Sequence, residues 1–133
     1  MVDTRTAGYG AMLIRISLGV MFIAHALLKY LVFTLPGAAK FFSSVGFPGE
    51  FAYVVFVAEL VGGAMLVLGV YARWVAAALL PVLLGAATVH WGNGWVFTSP
   101  NGGWEYPVFL VAASIALALL GDGAFALRPS AKA

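Results

Sequence analysis

The chain has 133 residues, of which 63% are hydrophobic and only 9% carry a formal charge, with a net charge of +2. A water-facing domain carries about a quarter charged residues, so a soluble surface is excluded and one compact all-α membrane domain is expected over 1–133. With no cysteines, disulfides, thiolate metal sites and iron–sulfur clusters are excluded within the chain, and the small positive charge gives no footprint for nucleic acid.

The first apolar segment, about 9–31, is long enough to span, since ~20 residues at ~1.5 Å each cross the hydrocarbon. Arg5 precedes it and Ala24-His25-Ala26 imitates a cleavage site, but Arg15 interrupts the apolar run, so a retained helix is expected. On this helix Arg15, Phe22, His25 and Lys29 fall within an arc of about 80° at 100° per residue. The next stretch, 35–51, runs from Pro36 to a Gly-Phe-Pro-Gly turn. Lys40, Phe41, Phe42 and Val45 within it predict a short interfacial helix.

The second span, about 51–70, contains an isolated carboxylate, Glu59, followed by Gly62 and Gly63. A carboxylate facing lipid costs several kcal/mol, so Glu59 is expected to face the bundle interior. Ala58-x-x-x-Gly62 permits close helix approach. The third span, about 73–91, carries Pro81 inside it, where a kink is expected. The segment 92–104 is rich in turn residues and aromatics and is expected to fold back as a cap. The fourth span, about 105–121, opens with Glu105 and has Pro107 in its first turn, where a missing N–H costs nothing. The expected architecture is a four-helix membrane bundle with two long loops capping one end. Tyr9, Tyr71 and Trp74 would mark one interface, and Tyr30, Tyr53, Trp91, Trp95, Trp104 and Tyr106 the other.

Arg5, Arg73, Arg128 and Lys132 lie on the side of the termini, whereas the long loops carry only Lys40. The positive-inside rule then puts both termini in the cytoplasm and the two long loops outside. Depth counting brings His25, Lys29, Glu59, His90 and Glu105 together in the outer half, with only Arg15 and Arg73 in the inner half. His25 and Glu59 are the expected pair across the first two spans, Lys29 is expected to snorkel toward the outer headgroups, and Arg73 to anchor the inner surface.

In this order and spacing the chain resembles the DoxX family of small four-helix membrane proteins. The matching pieces are Arg15-x-x-x-Gly19-x-x-Phe22-x-x-His25-x-x-x-Lys29, Phe41-Phe42 with Gly46-Phe47-Pro48, Glu59-x-x-Gly62-Gly63, Gly69-x-x-x-Arg73-x-x-Ala76, and Gly103-Trp104-Glu105-Tyr106. Ala26 stands where the family commonly has Gly. Gly121-Asp122-Gly123 leads to Ala126-Leu127-Arg128 rather than the usual Ser-Leu-Asp. The resemblance implies a bacterial inner-membrane protein whose relatives include a subunit of thiosulfate:quinone oxidoreductase and a membrane partner of oxidative-stress enzymes.

Three functions are compatible with these residues. The first is a redox-associated subunit that binds a quinone or similar isoprenoid lipid. Its head would meet His25, Glu59 and His90, with Lys29 and Glu105 nearby. Phe22, Phe56 and the glycines would leave an apolar slot for ring and tail, closed from above by Phe42, Trp95 and Trp104. Arg15, Gly62, Gly63 and Arg73 are assigned structural roles. The second is a non-enzymatic module that binds membrane lipids or recruits a partner redox enzyme. The third is a haem or metal held by His25 and His90, supported by Glu59 or Glu105. No self-contained catalytic motif and no flavin or nicotinamide fingerprint is present, so any redox chemistry beyond the quinone would have to come from another subunit or a bound cofactor.

Overall fold

A computed structural model describes residues 1–131; Lys132, assigned above to the basic side, lies outside the described residues. Five helices make up the fold: α1 (Ala7–Leu31), α2 (Leu35–Ser44), α3 (Phe51–Leu68), α4 (Ala72–Trp91) and α5 (Glu105–Leu120). Among the described residues there is no strand beyond one isolated parallel pairing of Val70 with Arg128. α1, α3 and α4 are long and apolar enough to cross a membrane. α5 matches the expected bounds of about 105–121 to within one residue, but this apolar helix of 16 residues, about 24 Å at 1.5 Å per residue, falls short of the ~20 that cross the hydrocarbon.

Local chemistry sets the helix ends. Thr34, at φ 63°, turns the chain out of α1, and its hydroxyl accepts from Gly37 N, with Pro36 in the first turn of α2. That turn starts the short helix expected between Pro36 and the Gly-Phe-Pro-Gly turn. Gly69, at φ 76°, closes α3 in the left-handed conformation with its N–H on Met65 O, a backbone state that glycine reaches without a Cβ clash. α4 continues through Pro81, which lies on its exposed face.

α1 packs along α3, α3 against α4, α4 along α5, and α5 more sparsely against α1, so the four longer helices close a ring, with α2 against α3 and α1. The α1–α3 seam is built on glycine. A Cβ at Gly19 would sit 2.7 Å from Gly63 O, and one at Gly63 would sit 2.8 Å from Gly19 O. Backbone therefore meets backbone, which small residues permit and larger ones prevent. Leu18, Phe22, Leu66, Ala72, Ala76, Leu79, Leu83 and Leu117 fill the centre.

The two ends of this ring differ. One, the loop end, carries α2 and residues 92–104. The other, the terminal end, carries the start of α1, the tight α3–α4 turn and residues 121–131.

Candidate functional site

At the loop end the polar side chains come from four helices, α1, α3, α4 and α5. Lys29 on α1 donates to both oxygens of Glu59 on α3, at 3.1 and 2.9 Å. The pair is enclosed: the Lys29 side chain is 15% exposed and that of Glu59 6%. This corrects two expectations. Glu59 bonds Lys29 rather than His25, and Lys29 turns inward instead of reaching for headgroups. The reason is geometric, because Lys29 is one helical turn beyond His25 and its longer stem spans the α1–α3 seam.

His25 has a different setting. Its Nδ1 lies 2.8 Å from Met21 O on the previous turn, so Nδ1 must donate. In the neutral imidazole Nε2 then carries the free lone pair. The ring stacks on Tyr106 of α5, with centroids 6.0 Å apart, and the Tyr106 hydroxyl reaches Met21 Sδ at 3.5 Å. Tyr106 was expected only as an interfacial belt residue. Its place beside His25, at the start of α5, depends on how α5 docks against α1, which no local pattern encodes.

Other expected site residues are placed elsewhere. Glu105 accepts from Phe97 N at 2.9 Å while its own N–H bonds Trp95 O, so its carboxylate closes the 92–104 loop and does not join Lys29 and Glu59. His90 lies under that loop, with Gly102 packed over its ring and its Nδ1 buried without a partner among the described residues. Trp104 stacks on Trp91 at 5.1 Å, Phe42 packs on Phe47, and Trp95 points outward at 62% exposure. The cap therefore covers His90 and does not close over His25.

The apolar slot is filled. Phe22 belongs to the central core, Leu79 lies against Gly62, and Ile23 and the Gly19 backbone occupy the space beside Gly63. Phe56 stacks on Tyr30 at 5.9 Å. Two open grooves of about 500 Å³ each lie on the outer surface of the helix ring. One is bounded by Leu84, Thr88, Trp91 and Val108, the other by Tyr53, Val54, Val57 and Ala58, and neither is lined by His25 or Glu59. Among the described residues no three His, Asp or Glu side chains gather as metal ligands.

The terminal end holds a second polar cluster, where only Arg15 and Arg73 were expected. Residues 121–131 form a strap that ties three helices together through backbone bonds. Ala124 N donates to Gly8 O, Leu127 N to Leu68 O, Arg128 N to Gly69 O, and Tyr71 N to Arg128 O. Asp122 is its polar centre. Its carboxylate accepts from Ser130 N at 2.8 Å, Ser130 Oγ at 2.7 Å and Arg73 N at 3.2 Å, the last capping the otherwise uncapped start of α4. Burial pushes this carboxyl up, but the bonds from Ser130 and Arg73 outweigh it and hold Asp122 below the ordinary carboxylate range. Arg15 is 1% exposed and donates from Nη2 to Ala124 O at 3.2 Å. The one sequence signal for the strap was Gly121-Asp122-Gly123, a short carboxylate between glycines that take φ 98° and 79°.

The DoxX family model matches residues 10–91. A protein of Bacillus subtilis (strain 168) named "Putative oxidoreductase CatD" is 34% identical over 121 residues, covering 90% of this chain and 85% of that protein. No solved structure gives a significant match.

Proposed function

The chain belongs to the DoxX family, and from that premise we propose that it is the multi-pass membrane component of a redox system, with a quinone or similar isoprenoid lipid docking at His25 and the Lys29–Glu59 pair. In this reading four helices span the bacterial inner membrane, both termini are cytoplasmic, and the loop end faces outward. The observation that carries it is the ion pair itself, a 2.9 Å contact between two helices of membrane-spanning length. Charge in that setting is costly to bury and tends to be retained where a polar ligand or proton path uses it.

The tautomer of His25 suits such a ligand. A lone pair on Nε2 accepts the O–H of a hydroquinone, and the imidazolium formed after proton transfer donates to the quinone carbonyl. Oxidising a quinol releases two protons and two electrons. His25 would accept one of these protons, Glu59 with Lys29 would offer a route for the other, and the electrons would have to leave to a partner oxidoreductase. The named oxidoreductase relative supports that class of work.

A second reading has its own support. Because the glycine seam and the core are filled and neither groove reaches Glu59, the pair also fits a scaffold that recruits a partner enzyme and binds no quinone. Organic extraction and mass spectrometry of the purified protein separate the two. An isoprenoid quinone retained by the wild type, and reduced about tenfold or more in His25→Ala and Glu59→Gln, is expected from losing one charge-assisted contact. Quinone-free wild type, or undiminished retention in the double variant, leaves the scaffold. Orientation is checked by single-cysteine labelling in this cysteine-free chain: an impermeant reagent should modify Asn101→Cys and spare Ser130→Cys in intact cells.

A further inference from the structure

The terminal end has more cationic donors than acceptors. Arg15 Nε, Arg15 Nη1 and Arg73 Nε are buried and have no hydrogen-bond partner among the described residues, although a guanidinium presents five N–H donors. The neighbouring carboxylate, Asp122, is already engaged by Ser130 and the Arg73 N–H. Among the described residues the Arg15 side chain bonds only Ala124 O. Two guanidiniums, Arg15 at Ala124 and Arg73 beside Gly121, thus flank a strap whose carboxylate is occupied by neutral donors. Buried polar groups are almost always satisfied, and orphaned charged donors mark a missing acceptor.

The surrounding backbone is shaped to bring these donors close together. A Cβ on Gly121 would lie 3.0 Å from Arg73 Nη2, and one on Gly123 would lie 2.6 Å from Met12 N, so at these two glycines the strap passes bare against the Arg73 side chain and α1. Arg73 stays partly exposed, and Tyr71 and Trp74, at 41% and 62% exposure, flank it, as aromatics do at a headgroup boundary. Arg15 sits behind, held at Ala124.

We propose that Arg15, Arg73 and the Gly121–Ala124 strap form a receptor for a phosphate group at the terminal end. The planar guanidinium fork matches phosphate oxygens in two-point contacts. The phosphate enters at the exposed edge of Arg73, and Arg15 supplies the second charge as the strap adjusts around it. Its source is either the headgroup of an anionic phospholipid or free phosphate.

Thermal unfolding in nanodiscs separates the two sources. One series contains phosphatidylglycerol, one contains only phosphatidylcholine, and one contains phosphatidylcholine with millimolar inorganic phosphate. A melting temperature raised by phosphatidylglycerol alone identifies a lipid headgroup. A rise with inorganic phosphate identifies the free anion. Arg73→Gln should remove the rise and lower phosphatidylglycerol retained in native mass spectrometry by about tenfold, as expected for one charge-assisted contact. Lys40→Gln, which removes an exposed cation at the loop end, should change neither. Because Arg15→Gln also removes the buried fork that holds Ala124, Arg15→Lys serves as the second variant: it keeps the charge but loses the fork, and should show intermediate retention. No rise with either phosphatidylglycerol or inorganic phosphate over zwitterionic phosphatidylcholine alone, or Arg73→Gln retaining phosphatidylglycerol as the wild type does, overturns the proposal.

Discussion

The two ends of the helix ring handle charge in opposite ways. At the loop end, cation meets anion directly, Lys29 on Glu59 at 2.9 Å, and the bond joins two helices that already touch along glycine backbone. At the terminal end the carboxylate of Asp122 serves backbone and hydroxyl donors, while the guanidiniums of Arg15 and Arg73 do not bond it. The first arrangement neutralises charge inside a seam that packing would hold anyway. The second uses charge to close a chain segment with little packing of its own. Removing a partner should therefore have a different character at each end: an orphaned buried charge at the loop end, and a loosened strap at the terminal end.

The largest expected effect tests the loop end. Glu59→Leu leaves the Lys29 ammonium buried without its acceptor and should cost about 3–5 kcal/mol. Glu59→Gln keeps an acceptor and should cost visibly less, on the order of 1–3 kcal/mol. Equal unfolding free energies for the two variants, measured in detergent or by steric trapping, would mean that the ion pair contributes nothing beyond packing.

Next comes the seam beneath that pair. Gly63→Ile puts side-chain atoms where Gly19 O and Ile23 now lie; overpacking of this kind costs about 1–3 kcal/mol. It should also lengthen the Lys29–Glu59 contact, so double-mutant cycles of Gly63→Ile with Glu59→Gln should be non-additive. Additive losses would show that the helices hold their spacing without the glycines.

At the terminal end the expected signature is pH dependence. Asp122 is held below its ordinary range, so its contribution is fully present above the unfolded value near 3.9 and is lost as pH falls through the lower folded value. Melting temperature should fall on acidification below about pH 4, and Asp122→Asn should remove that component while lowering stability at neutral pH by about 1–2 kcal/mol. Faster amide exchange at Arg73, Leu127 and Arg128 in this variant, with Lys29 and Glu59 undisturbed, would sharpen the contrast. An unchanged acid profile would break it.

The smallest effect is at the exposed Asp3–Arg5 pair. Solvent-exposed pairs contribute little, so Asp3→Ala should leave the melting temperature unchanged in ordinary buffer.

Much of the fold was legible because hydrophobic length and turn residues act locally. The first span expected at 9–31 is α1 (Ala7–Leu31), and Pro36 with the Gly-Phe-Pro-Gly turn bracket α2 (Leu35–Ser44). The candidate site was legible only in its membership. Depth counting puts His25, Lys29 and Glu59 at one level, but choosing which of two cations meets Glu59 requires the rotation of α1 against α3 and the reach of each side chain. Glu105 shares that level and still bonds Phe97 N, because a loop donor lies nearer than any helix partner. The strap was illegible for another reason. Four of its bonds run from backbone to backbone, and such bonds leave almost no trace in residue identity beyond Gly121 and Gly123.

The link from Arg73 to Asp122 also orders events during synthesis. The two residues are 49 positions apart, so at roughly 5–20 residues per second the start of α4 waits about 2–10 s for its carboxylate. Through that interval α1, α3 and α4 can insert and pair along their glycines, but the α3–α4 turn has neither its cap nor its strap. The terminal end is therefore the last part of the molecule to mature, and a ribosome pause after α5 would hold back its closure while the Lys29–Glu59 pair could already form.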